Sequence, residues 1–145
     1  MCDKKGAEYP SDERLLWRQA EKRLLEDGGT PSSQVFEPRG DMDEGCLSVD
    51  DGNMVSAATA HAFFTSLPPS GLGARSESVW GLSVAEVVGL TLSAWADPID
   101  AAPPVPANLS HAVIEFGEMT KSQRKKFAQR LKLLAIQRGQ QHPRP

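Results

Sequence analysis

The sequence predicts an α+β domain, a small mixed β-sheet with a central helix and a C-terminal basic amphipathic helix packed on it. Three observations lead there. Short apolar runs suited to strands, CLSV, VWGLSV and HAVIEF, are spread along the chain without strict alternation with helices. Ala57, Ala60, Phe63, Phe64 and Leu67 repeat at three and four residues, the spacing of an amphipathic helix. Thr120 and Gln123 form a capping box ahead of a stripe of Phe127, Leu131 and Leu134, flanked by Ala128 and Ala135 and stopped by Gly139.

Taken in order, residues 1–10 are polar, aperiodic and expected to be flexible, residues 11–139 form a single domain, and residues 140–145 are again expected to be flexible. A 145-residue chain can bury roughly 70% of the surface it exposes when unfolded, so it needs no staple. Residues 11–29, SDERLLWRQAEKRLLEDGG, admit two readings. One is a helix from the Ser11 cap to the Gly28-Gly29 stop; the other is a short first strand, LLWRQ, followed by a helical turn. Residues 30–45 read as an extended loop pinned by Phe36, and Cys46 to Val49 as a brief strand closed by Asp-Gly turn chemistry. Ser56 caps the central helix, which Pro68 and Pro69 end. Residues 68–78 are a surface loop, Val79 to Val84 a buried strand, and residues 86–96 either a short helix or a further strand. Four prolines make residues 96–110 a connector. His111 to Phe116 is a strand.

A net charge of −3 and a pI near 5.6 give the whole molecule no electrostatic reason to seek nucleic acid or anionic lipid. The two cysteines, Cys2 near a terminus and Cys46 in or beside a strand, make no disulfide framework, so a reducing, cytoplasmic setting is expected. No apolar run approaches the roughly 20 residues that span a bilayer, and the N-terminus lacks a signal-peptide core. The expected partner is another protein, with no membrane, and nucleic acid is not favoured.

Acid is concentrated in Asp41, Asp43, Glu44, Asp50 and Asp51, five residues within eleven positions. An EF-hand is excluded, because Gly45, Cys46 and Gly52 stand where a ligand, the turn glycine and the closing Glu belong. Two readings remain: a solvated loop, or a binding site built from Ser32, Ser33, Gln34, Asp41, Asp43, Glu44, Ser48 and Asp50. His61, His111 and His142 lack metal-ligand spacing, so no metal is expected. Gly81-Leu82-Ser83-Val84-Ala85 lacks the second glycine of a nucleophile elbow, and Ser83 reads as a strand serine. Seven of the sixteen basic residues lie on the last helix, where Lys121, Arg124, Lys125, Lys126, Arg130 and Lys132 form a basic face.

RLLWRQ, DGGTPSSQVFEP, DEGCLSVDDG, WGLSVAEVVGL and HAVIEF before a basic helix together resemble a family of small uncharacterised bacterial proteins with an Arg-Gln, Ser-Ser-Gln-x-Phe-x-Pro, Asp-Glu-Gly-x-Leu-Ser-Val order. That resemblance covers nearly the whole chain and favours LLWRQ as a strand. More distantly, the chain is similar to ADP-ribosyltransferases, which use an early-strand Arg, a strand Ser and a late-strand Glu around NAD. That likeness implies Arg18 on pyrophosphate, Ser48 on ribose and Glu115 against the cation that develops as nicotinamide leaves. The chain departs from it in having no Ser-Thr-Ser run and Val113 two residues before Glu115. The first expectation is thus an interaction module, accessory, antitoxin-like or adaptor, offering an acidic loop and a basic helix to a protein and needing no cofactor. The alternative is an NAD-cleaving enzyme, and a weaker one is nucleic-acid binding through the last helix.

Overall fold

A computed structural model describes residues 2–39, 44–67 and 75–144. The ambiguous first segment is a strand, β1 (Leu15–Glu21), followed by a 3₁₀ turn, Lys22–Leu24. Burial explains why helix propensity loses here: Leu16, Trp17, Gln19 and Ala20 are all buried, which a segment inside a sheet achieves by facing both layers. A second 3₁₀ turn, Ser33–Phe36, precedes β2 (Cys46–Asp51). Helix α1 (Ala57–Ser66) follows, capped by Ser56, whose side chain accepts the Thr59 N–H. Then come β3 (Ser76–Ser83), α2 (Val84–Gly89), β4 (Ser93–Ala96), β5 (His111–Glu115), α3 (Lys121–Arg138) and β6 (Gln140–His142).

The strands form one sheet in the order β4-β5-β2-β1-β3-β6. The α+β class and the terminal helix are as expected, but the sheet is antiparallel at every described pairing rather than mixed. The connections account for this: the proline-rich connector, for example, folds on itself through bridges Ile99↔Asn108 and Ala102↔Val105 and so returns β5 beside β4 as a long hairpin.

Residues 86–96 combine both readings offered for them, since α2 ends at Gly89 and β4 begins at Ser93. Ser83 is the last residue of β3 and also the N-cap of α2, so this strand serine stands at a strand-to-helix turn. Its hydroxyl is buried and accepts the Glu86 N–H at 3.0 Å, which makes it a cap and not a nucleophile.

Both terminal segments pair with the sheet. The Gly6 N–H donates to the Ala96 carbonyl and the Tyr9 N–H to the Ala94 carbonyl, so the N-terminal segment lies along β4. Gln140–His142 is the edge strand β6 on β3. Each polar segment covers a sheet edge whose backbone groups would otherwise lack partners, which composition does not reveal.

One face of the sheet packs on α3 and the Ser33–Phe36 turn: Leu16, Ala20 and Leu82 meet Val35, Phe36, Ala128, Leu131 and Ala135. The stripe on α3 is centred on Ala128, Leu131 and Ala135, with Phe127 and Leu134 half-buried beside it. The capping box of Thr120 and Gln123 forms, and Gly139 takes a φ of 96° as the helix ends. The other face carries α1, where Trp17 and Val79 meet Ala57 and Ala60. Gly81 makes room for that indole, because a Cβ there would stand 3.1 Å from Trp17 Cζ3.

Leu131 is fully buried, so Leu131→Ala should lower unfolding free energy by about 2–5 kcal/mol; a denaturant-measured loss below about 0.5 kcal/mol, the ordinary surface range, would contradict this packing. Tyr9, the single tyrosine, donates to Asp51 Oδ2 at 3.0 Å, the oxygen that Arg14 also reaches. Burial, then the Asp51 charge and hydrogen bond, push its phenol from 10.0 up to about 12. Folding thus favours the neutral phenol, and this contribution is present below pH 10 and lost as pH rises from there towards 12. Tyrosinate absorbance of the folded protein should have its midpoint near 12, and a midpoint at 10.0 would contradict the Tyr9–Asp51 bond.

Candidate functional site

Strands β1 and β3 pair over seven residues, but β1 and β2 pair only at Leu16↔Asp51 and Trp17↔Asp50. Beyond that point the sheet opens, and Arg18 stands in the gap. Its Nε donates to the Val35 carbonyl at 2.6 Å and its Nη1 to the Ser48 carbonyl at 3.0 Å, so one guanidinium ties β1 to the 3₁₀ turn and to β2. The opening is a cleft of about 790 Å³, well within the ~300–1,000 Å³ of small-molecule sites.

Trp17, Arg18 and Gln19 of β1 form one wall, and Ser48, Val49 and Asp50 of β2 the other. Phe63 and Phe64 of α1, with Val105 and Pro106 of the connector, contribute apolar surface. The first two residues of the basic face that fall one helical turn apart, Lys121 and Lys125, also line it. Five cationic side chains in all, Arg18, Arg23, Arg39, Lys121 and Lys125, stand against Glu21, Glu37 and Asp50. The balance inside the cleft is positive although the chain is net acidic.

On the β2 side the polar groups are held in place. Asp50 Oδ1 accepts from Asn108 Nδ2 at 3.1 Å and from Ser110 Oγ at 3.2 Å, which anchors the connector to the cleft floor. His111 Nε2 lies 3.1 Å from Ser48 Oγ, while its Nδ1 lies 2.8 Å from the Asp97 carbonyl oxygen and 3.3 Å from Asp97 Oδ2. A carbonyl oxygen only accepts, so Nδ1 carries the proton in the neutral ring and Nε2 receives the Ser48 hydroxyl hydrogen.

Of the residues expected around NAD, Arg18 and Ser48 meet in the cleft and Glu115 does not. Glu115 is paired with Cys46 at the far end of β2 and β5, two rungs beyond Ser48, and its carboxylate holds Lys4 in an ion pair. His111, Val113 and Glu115 share one face of β5 with Ser48 opposite Val113, but His111 stands at the cleft end of the strand and Glu115 at its far end.

The polar loop is divided. Gln34, Ser48 and Asp50 line the cleft; the Ser32 hydroxyl is buried with no hydrogen-bond partner among the described residues, Ser33 is half-buried in the turn, and Glu44 is exposed. Asp41 and Asp43 lie outside the described residues. On α3, Lys132 pairs with Glu26 at 2.7 Å, Arg124 donates to the Met119 carbonyl, and the Arg130 guanidinium lies over the Phe127 ring, while Lys126 is exposed. Sequence reasoning missed His111, Asp97, Asn108 and the aromatic wall. The histidine was weighed only as a metal ligand; its position at the start of an apolar strand was the available signal.

Cys2 and Cys46, expected to be independent thiols, form a disulfide with Cα atoms 6.0 Å apart. The N-terminal segment running along β4 brings Cys2 across to β2, and Lys4 on Glu115 fixes the approach. Cys2, Cys46 and Glu115 each place a ligand atom within 4.8 Å of the others, but the sulfurs are bonded together and the carboxylate already holds Lys4. Two bonded cysteines give no sign of a reducing compartment. Among the described residues no helix is long and apolar enough to cross a membrane. The bond spans 44 residues, so reduction or Cys46→Ser should lower stability by about 2–4 kcal/mol; identical denaturant midpoints with and without reductant would contradict a structural disulfide.

Comparison with protein-family models, with curated proteins and with solved structures gives no match.

Proposed function

We propose that the chain binds a nucleotide of the NAD or ADP-ribose class in the cleft between β1 and β2. The observation that carries this reading is the joint presence there of cationic, hydroxyl-compatible and aromatic surface. Lys121 and Lys125 suit a diphosphate, as charge-assisted donors. Asp50, Asn108 and Ser48 suit ribose hydroxyls, and Phe63 and Phe64 suit a planar ring. Read alone, the loop from Ser32 to Asp51 favours cationic or sugar-bearing ligands; the anion-binding charges come from β1 and α3, distant in sequence. Cleavage of NAD is not part of the proposal, since Glu115 lies outside the cleft. The protein-partner reading retains the exposed Lys126 and Arg130, which do not line the cleft.

Titration calorimetry with ADP-ribose tests this. Saturable binding is expected, weakened at least about tenfold, or 1.4 kcal/mol, in the double variant Lys121→Glu, Lys125→Glu, with an unchanged melting temperature because both side chains are exposed. No binding by the wild type, or equal binding by the double variant, would refute the assignment.

A further inference from the structure

We propose that Ser48 is a nucleophile with His111 as its general base, which makes the cleft a site of ester hydrolysis. Three neighbouring strands supply the parts. Ser48 lies on β2, His111 opens β5 diagonally across from it (Asp50↔His111, Ser48↔Val113), and Asp97 directly follows β4, whose Ala96 pairs with Ala112. The backbone locks the third member to the second, since the Asp97 N–H donates to the His111 carbonyl at 2.9 Å while the Asp97 carbonyl takes the Nδ1 proton. Held in that tautomer, the ring turns its unprotonated Nε2 towards the Ser48 hydroxyl at 3.1 Å, within the reach a general base needs. Asp97 Oδ2, 3.3 Å from Nδ1, stabilises the imidazolium that forms when the ring takes a proton.

Burial does not demand this arrangement. Ser48 is exposed in an open cleft and water could satisfy its hydroxyl, whereas the His111 and Asp97 side chains behind it are only 14% and 17% exposed. A shielded base aimed at an accessible hydroxyl is the pairing that nucleophilic catalysis requires. Arg18 adds a cation at the strand edge, with Nη1 3.0 Å from the Ser48 carbonyl oxygen.

The reaction balances without a cofactor. Ser48 Oγ bonds to the ester carbonyl carbon as its proton passes to His111 Nε2, and the tetrahedral adduct collapses with that proton delivered to the departing alcohol. Water then attacks the acyl-serine with Nε2 again as base, releasing the carboxylic acid and restoring the hydroxyl. The substrate class is an ester with an apolar or aromatic portion for Phe63 and Phe64 and an anionic group for Lys121 and Lys125.

The test uses the full chain and a fluorophosphonate, which forms an Oγ–P bond and expels fluoride, with mass spectrometry locating the adduct. Labelling at Ser48 is expected in the wild type, absent in Ser48→Ala, and slowed at least about 100-fold in His111→Gln, with para-nitrophenyl acetate hydrolysis lost in parallel. No adduct in the wild type, an adduct at another residue, or equal turnover by Ser48→Ala would overturn the proposal. Nitrogen NMR of the wild type serves if His111→Gln does not fold: His111 should be the Nδ1–H tautomer, and the Nε2–H tautomer would remove the base. The result is separable from the nucleotide reading. Labelling that ADP-ribose leaves unslowed keeps Ser48 as nucleophile while counting against nucleotide binding, and ADP-ribose binding to an unlabelled wild type does the reverse.

Discussion

Arg18 donates from β1 to the Val35 carbonyl and the Ser48 carbonyl, and the cleft depends on that pair of hydrogen bonds. In a regular antiparallel ladder the backbone groups of β1 and β2 would satisfy one another along the whole strand. Here the pairing ends at Trp17↔Asp50 and a charged side chain takes over the accepting carbonyls. A guanidinium can do this because it offers several donors in one rigid plane. The Ser33–Phe36 turn is thereby drawn onto the sheet, with Val35 and Phe36 fully buried as its anchors. An opened sheet, a seated turn and a positively lined cavity all follow from one residue placed where two strands diverge.

The rest of the molecule supplies rigidity around that opening. Helix α3 covers the closed part of the sheet through Ala128, Leu131 and Ala135, small and large residues that let the helix lie close. The first turns of the same helix reach past the sheet and carry Lys121 and Lys125 to the cleft. On the opposite face α1 seals Trp17 and lends Phe63 and Phe64 to the cavity wall. The connector after β4, tied down by Asn108 and Ser110 on Asp50, closes the remaining side. Elements that build the core therefore also build the site, each with a different part of its surface.

Electrostatics are divided in the same way. Several acidic groups outside the cleft are engaged within the fold: Asp51 takes Tyr9 and Arg14, Glu86 takes Arg138, and Glu115 takes Lys4. Inside the cleft the cations outnumber the carboxylates. A net charge of −3 therefore describes the chain but not its concave surface, where fields are focused by low-dielectric walls. The shift matters for ligand class: a chain with no overall preference for anions holds a local one.

What the sequence by itself determined is local. The capping box at Thr120 and Gln123, the Ser56 cap, the apolar stripe around Leu131, the Asp-Gly turn after β2 and the HAVIE strand depend on residues a few positions apart, and these were legible. Only the tertiary structure decided LLWRQ between helix and strand, because burial on both faces of a sheet outweighs helix propensity. It also decided the fate of the termini, the Cys2–Cys46 bond and the antiparallel order, each a contact between segments far apart in sequence. The site belongs to this second group. Arg18 and Ser48 were singled out as residue types, but that His111 and not Glu115 stands beside Ser48 is set by register, where four positions along β5 separate His111 at the cleft from Glu115 beside a disulfide. Side-chain spacing along the chain carries the period of a strand, while the partner across from it comes from the closure of loops tens of residues long, whose entropy and packing no local pattern records.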